Sequence, residues 1–109
     1  MVYDEDLANR LRELTAGEHA EEKRMFGGLA FLINGHMAVA ASGRGGLVVR
    51  VPPADTANLL RREHVEPMVM AGRETRGWLR VSADGVKTKR QLLSWVTLGV
   101  DYARSLPPK

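Results

Sequence analysis

Apolar and polar positions along this chain alternate between two periods. Leu7, Leu11 and Leu14 recur at helical spacing with Ala8 beside them, which predicts a first helix from Asp4 to Ala16. Asp4 is placed to cap it, Glu5 and Asp6 suit its positive end, and Gly17 is placed to stop it. The acidic stretch Glu18 to Glu22 reads as a loop. A strand region then runs from Lys23 to Ile33, with a bend at Gly27-Gly28 where a close backbone approach would exclude side chains. Asn34-Gly35 is a hairpin signal, because a type I′ turn needs positive φ at both central residues. It leads into a second strand, His36 to Ala41.

The Gly-rich segment Ser42 to Gly46 turns the chain again into the β-branched run Leu47 to Val51. Pro52-Pro53 ends that strand, and Asp55 is placed to cap a short helix through Leu59, Leu60 and Arg61. Glu66 to Met70 reads as a short strand candidate, and Pro67 argues that it either lies at an edge or begins at that residue. Gly72 to Thr75 reads as a turn, Trp78 to Val81 as the last strand, and Ala83 to Gly85 as a turn away from it. Thr88 and Gln91 have the spacing of a capping box. The stripe Leu92, Trp95, Val96, Gly99, Tyr102 and Ala103, widened by Leu93 and Val100, predicts the longest helix, Lys89 to Arg104. Leu106 to Lys109 is a tail. The order α-β-β-β-α-β-β-α indicates one α+β domain over residues 1–109, a two-layer sandwich of antiparallel sheet and helices.

Composition narrows the function more by exclusion than by suggestion. A chain of 109 residues with 44 % apolar content fills one core. It has no cysteine, so disulfides, thiol nucleophiles and cysteine zinc sites are excluded. The acidic start, Met1 to Asp6, lacks the basic and apolar regions of a secretory signal, and no apolar run is long enough to span a membrane. A soluble cytoplasmic protein is expected. Charge is uneven: residues 1–54 carry 6 Lys and Arg against 7 Asp and Glu, and residues 55–109 carry 10 against 6. A basic half of this kind suits either an ordinary solvated surface or an acidic partner such as nucleic acid.

The candidate chemistry is sparse. Ser42-Gly43-Arg44-Gly45-Gly46 matches no phosphate-binding pattern and precedes a strand where those motifs precede a helix, so it reads as a hairpin loop. His19, His36 and His64 lack metal-ligand spacing, and His36 suits an inward, hydrogen-bonded structural role. No serine stands in a nucleophile elbow, and Glu21-Glu22 read as solvated charge. No catalytic, cofactor or metal residue is assigned. Arg24 either grips an anion beside the glycines, pairs with an acidic neighbour, or lies over an apolar face. Arg73, Arg76, Arg80, Lys87, Lys89 and Arg90 surround Trp78, and alternation puts Arg76, Trp78 and Arg80 on one strand face. That group is a stacking platform for nucleic-acid bases, or else Trp78 is a core residue or a cation–π partner.

Arg24-Met25-Phe26-Gly27-Gly28, His64 to Met68, Gly72-Arg73, Arg76-Gly77-Trp78, Trp95 and Ala103 to Pro107 together resemble the TfoX N-terminal domain family over nearly the whole chain. The resemblance implies a two-layer α+β domain of the secretion-chaperone-like type and brings no catalytic residues. The family takes its name from regulators of natural competence, in which a second domain follows this one; this chain ends at Lys109. The expected function is a non-enzymatic regulatory module that binds another protein, with a second copy of the chain as one candidate partner. The alternative is association with nucleic acid through the C-terminal basic cluster. Arg24, Arg73, Arg76, Trp78, Arg80, Lys87, Lys89 and Arg90 are the candidate interaction residues.

Overall fold

A computed structural model describes residues 3–25 and 27–108. Three α-helices, α1 (Glu5–Leu14), α2 (Thr56–Leu59) and α3 (Lys89–Ser105), accompany six strands. The strands are β1 (Glu21–Met25), β2 (Gly28–Ile33), β3 (His36–Ala41), β4 (Leu47–Arg50), β5 (Val65–Met70) and β6 (Arg73–Val81). They form one antiparallel sheet in the order β1-β2-β3-β4-β6-β5. The α+β sandwich is as expected, with one strand more than the pattern predicts.

The extra strand arises because the strand expected over Lys23 to Ile33 is two strands, and the first of them begins earlier, in the acidic stretch. Glu21 and Glu22 belong to β1, which pairs with β2 from Glu21 opposite Leu32 to Met25 opposite Gly28. The expected bend at Gly27-Gly28 is therefore a tight hairpin reversal, with Gly27 at φ 72°. Glu21 and Glu22 escape the pattern because β1 is an edge strand with four exposed residues and no apolar alternation. Its charges also keep the open edge from pairing with another chain. The close approach is real: a Cβ on Gly28 would overlap the Ala41 carbonyl and crowd the Gly43 backbone, so the two glycine segments pack on each other. Phe26 lies outside the described residues.

The helix ends divide into those fixed locally and those that are not. Asp4 caps α1, its carboxylate accepting from Leu7 N at 3.1 Å. Thr88 and Gln91 form the expected capping box, with both hydrogen bonds at 3.0 Å. Gly17 does not stop α1. The helix closes at Thr15, whose hydroxyl donates to Leu11 O, and a 3₁₀ turn over Ala16–Glu18 follows. His19, not Gly17, takes the left-handed conformation, at φ 55°. Asp55 precedes α2 but makes no side-chain cap, because Pro53–Asp55 already wind as a 3₁₀ turn and leave it helical rather than extended. The turn expected at Gly72 to Thr75 is the pair Ala71-Gly72, both at positive φ, and β6 begins at Arg73. As expected, β5 is the other edge strand, with an irregular register next to Pro67.

Helices pack on one face only. Leu7, Ala8 and Leu11 of α1, Leu59 of α2, and Leu92, Trp95, Val96, Val100 and Ala103 of α3 share a core with Leu29, Phe31, Val39, Val49, Leu79 and Val81 of the sheet. On the opposite face Ala30, Met37, Ala40, Val48 and Met68 form a second, smaller buried cluster. Met25, Leu32, Met70 and Trp78 pack around it, so among the described residues this cluster is built from strands alone. His36 is buried at the start of β3, where its Nε2 donates to Pro107 O at 2.6 Å and ties down the tail; among the described residues no hydrogen-bond partner reaches its Nδ1. No helix among the described residues is long and apolar enough to cross a membrane.

Candidate functional site

The least regular part of the sheet lies in β6. Pro67 pairs with Leu79 and Val69 with Glu74, so Thr75, Arg76, Gly77 and Trp78 all stand opposite Met68. A bulge of this size bends the strand and re-aims its side chains. Gly77 turns it at φ 85°, and a Cβ there would crowd Pro53 and Val51 O at 3.3 Å. Three hydrogen bonds hold the bulge. Gly77 N donates to Thr56 Oγ1 at 2.9 Å, Val51 N donates to Gly77 O at 2.9 Å, and Arg76 Nη2 donates to Pro53 O at 3.2 Å. Thr56 is buried, and its hydroxyl satisfies a buried N–H that the interrupted ladder leaves over.

A cavity of about 280 Å³ opens between this bulge and the Pro53–Leu60 segment. Pro53, Ala57, Leu60, Pro67 and Trp78 supply apolar wall, and Glu74 and Arg76 stand in the same lining. Trp78 has Arg50 over its ring, 5.1 Å from the centroid, and the same guanidinium lies 5.8 Å from the Tyr102 centroid. This cation–π arrangement ties β4, β6 and α3 together. The pairings Arg50 with Trp78 and Val48 with Arg80 put Arg50, Trp78 and Arg80 on the face opposite the helices. Arg80 is fixed there by donating Nη1 to Ser42 Oγ at 3.1 Å and Nη2 to Gly45 O at 3.2 Å.

The cations singled out by sequence do not form one patch. The Gly77 bulge breaks the alternation between Arg76 and Trp78, so Arg76 turns toward Pro53 while Trp78 and Arg80 keep the regular face. Arg73 stands at the exposed start of β6, beside the hairpin turn. Lys87, Lys89 and Arg90 are exposed around the beginning of α3. Lys87 pairs with Asp84 at 3.0 Å, and this hydrogen bond holds the Asp84 carboxyl below its usual range. Arg24 is exposed on β1, separated from β6 by three strands, which is about 19 Å at ordinary strand spacing. It makes no ion pair among the described residues; on its own strand Glu22 is taken by Arg12, at 2.6 and 2.9 Å. The Trp78 ring, with Arg50 over it, is a cation–π partner that also walls a cavity.

Sequence reasoning missed Arg50, Thr56 and Glu74, while Tyr102 of the predicted helical stripe meets the sheet through Arg50. Arg50 ends an apolar run and Thr56 opens a short helix, and nothing local marks either as a partner of β6. A legible signal was the glycine inside the strand pattern at Gly77, which points to a bulge or a close approach. Among the described residues no group of three or more His, Asp or Glu side chains is arranged to hold a metal ion.

No curated protein matches this chain. Residues 12–103 match the TfoX N-terminal domain, a span that runs from the second half of α1 almost to the end of α3 and takes in the whole sheet and the β6 bulge. The chain therefore belongs to the TfoX N-terminal domain family.

Proposed function

We propose that this protein is a non-enzymatic regulatory module of the competence-regulator type that works in the cytoplasm by binding another protein, with a second copy of itself as one such partner. Family membership supports the regulatory part of this reading. The observation that carries the binding part is the sheet face opposite the helices. Among the described residues its apolar cluster is covered only by half-buried strand side chains, Met25, Leu32, Met70 and Trp78. Methionine-rich surfaces of this kind repack readily against a partner, because the thioether chain is flexible and polarizable. Arg50 and Arg80 border the same face and supply polar contacts at its rim.

Sedimentation velocity over a range of protein concentrations tests this reading, with and without a short DNA duplex and at low and physiological salt. The expected result is association that ignores salt and duplex and is lost in Leu32→Glu. A wild-type protein that stays monomeric and retrieves no partner from its host extract would refute it. Co-sedimentation with the duplex that disappears as salt rises would favour nucleic acid instead, and would direct charge reversals to Lys87, Lys89 and Arg90.

A further inference from the structure

The cavity beside the β6 bulge has the attributes of a built site. Its shape does not depend on a mobile loop, since Gly77 and Arg76 are tied by hydrogen bonds to Val51, Thr56 and Pro53. Its volume of about 280 Å³ lies near the lower end of the range that small ligands occupy. An uninterrupted β6 would have no need of four residues opposite one, and the visible result of the insertion is that Arg76 and Trp78 both line this cavity.

Its charges indicate the class of ligand. Glu74 and Arg76 stand in the same lining, yet they form no ion pair with each other or with any other described residue. Among the described residues the one fixed contact of the Arg76 guanidinium is a backbone carbonyl, and its other N–H groups can serve a ligand. An anion alone would meet Arg76 but also face the Glu74 carboxylate, and a cation alone would face Arg76. A ligand carrying both charges satisfies both groups, and the apolar wall of Pro53, Ala57, Leu60 and Trp78 suits a hydrocarbon or aromatic body. We propose that this cavity binds an apolar α-amino acid as its zwitterion, the carboxylate on Arg76, the ammonium on Glu74 and the side chain against Trp78. The proposal is independent of the protein-binding reading and adds a small-molecule input to it.

Proton–nitrogen correlation spectra of the intact protein, titrated with L-leucine and L-phenylalanine, test it directly. Trp78 and Trp95 each give a distinct indole N–H signal; Trp95 is buried under Arg62, outside this lining, and serves as the internal control. The expected result is a saturable shift of the Trp78 signal with the Trp95 signal unmoved. 3-Methylbutylamine, which lacks the carboxylate, and 4-methylpentanoate, which lacks the ammonium, each bind at least about tenfold more weakly than leucine. Arg76→Gln removes the preference for leucine over the amine, and Glu74→Gln removes the preference over the acid. Both residues are exposed, and unchanged spectra elsewhere verify that each variant folds. The proposal is overturned by an unmoved Trp78 signal at about 10 mM of either amino acid, a concentration that detects even millimolar affinity. It is equally overturned by an acid or amine analogue that binds as tightly as leucine, or by shifts that map away from the cavity.

Discussion

Replacing Gly99 by alanine sets two physical arguments against each other. Gly99 lies in the middle of α3, and helix propensity alone predicts that alanine there gains about 1 kcal/mol. Packing predicts the reverse. A Cβ at this position would sit 2.5 Å from Ala38 O and 3.1 Å from both Val39 Cγ1 and Val49 Cγ2. Those neighbours are buried in β3 and β4, the centre of the sheet, and a backbone carbonyl cannot rotate away as a flexible side chain can. Restoring ordinary contact would require α3 to lift by roughly 1 Å, which loosens Trp95, Val96 and Ala103 from the core. Overpacking typically costs about 1–3 kcal/mol, and a clash with unyielding backbone takes the upper end, so after subtracting the propensity gain the expected net loss is about 2 kcal/mol. In a domain of this size that lowers Tm by roughly 10 °C. Urea denaturation followed by circular dichroism gives the free energy. Ser94→Ala on the exposed side of the same helix is the control and is expected to be neutral or slightly stabilising. If Gly99→Ala matches or exceeds the wild type, the contact between α3 and β3 is looser than described and the packing argument fails.

Thr56→Val keeps the shape of the side chain but leaves Gly77 N without its acceptor; a loss of about 1–3 kcal/mol is expected, whereas Thr56→Ser should cost under about 1 kcal/mol. Equal stability of the two variants in urea would show that the bulge does not depend on that hydrogen bond. Removing residues 107–109 would ordinarily be neutral for an exposed terminus. Here it takes Pro107 O from His36 Nε2 while Nδ1 already has no partner, so a destabilisation of about 1–3 kcal/mol is expected, and a neutral truncation would refute the tail anchor. The hydrogen bond from Arg12 holds the Glu22 carboxyl below its ordinary range. A carboxylate depressed in the folded state stabilises above its unfolded pKa, and the contribution fades as pH falls through the folded value. Glu22→Gln should therefore lower stability slightly at neutral pH and converge with the wild type in acid; a difference that grows in acid would refute the assignment. The effect is small because solvent screens a pair this exposed.

Most of this architecture is written in local signals. Asn34-Gly35, the cap at Asp4, the capping box of Thr88 and Gln91, the strand His36 to Ala41 and the edge position implied by Pro67 each depend on residues a few positions apart, where backbone preference acts without help from the rest of the chain. What the sequence left open turns on how segments pair and on how neighbouring elements end. β1 carries four charged residues in five and becomes a strand because β2 folds back to pair with it. The left-handed turn falls at His19 because Thr15 and a 3₁₀ turn finish α1 first. The predicted basic cluster is divided on β6: alternation assumes an unbroken strand, and four residues of β6 opposite one of β5 send Arg76 and Arg80 to different neighbours. Conversely, Arg50, Trp78 and Tyr102 meet across elements separated by tens of residues. Spacing along a chain determines which face of its own helix or strand a side chain occupies. Which faces then meet, and which charges share a cavity, is decided by the pairing of distant segments, and so the fold class was legible in this sequence while the candidate site appeared only in three dimensions.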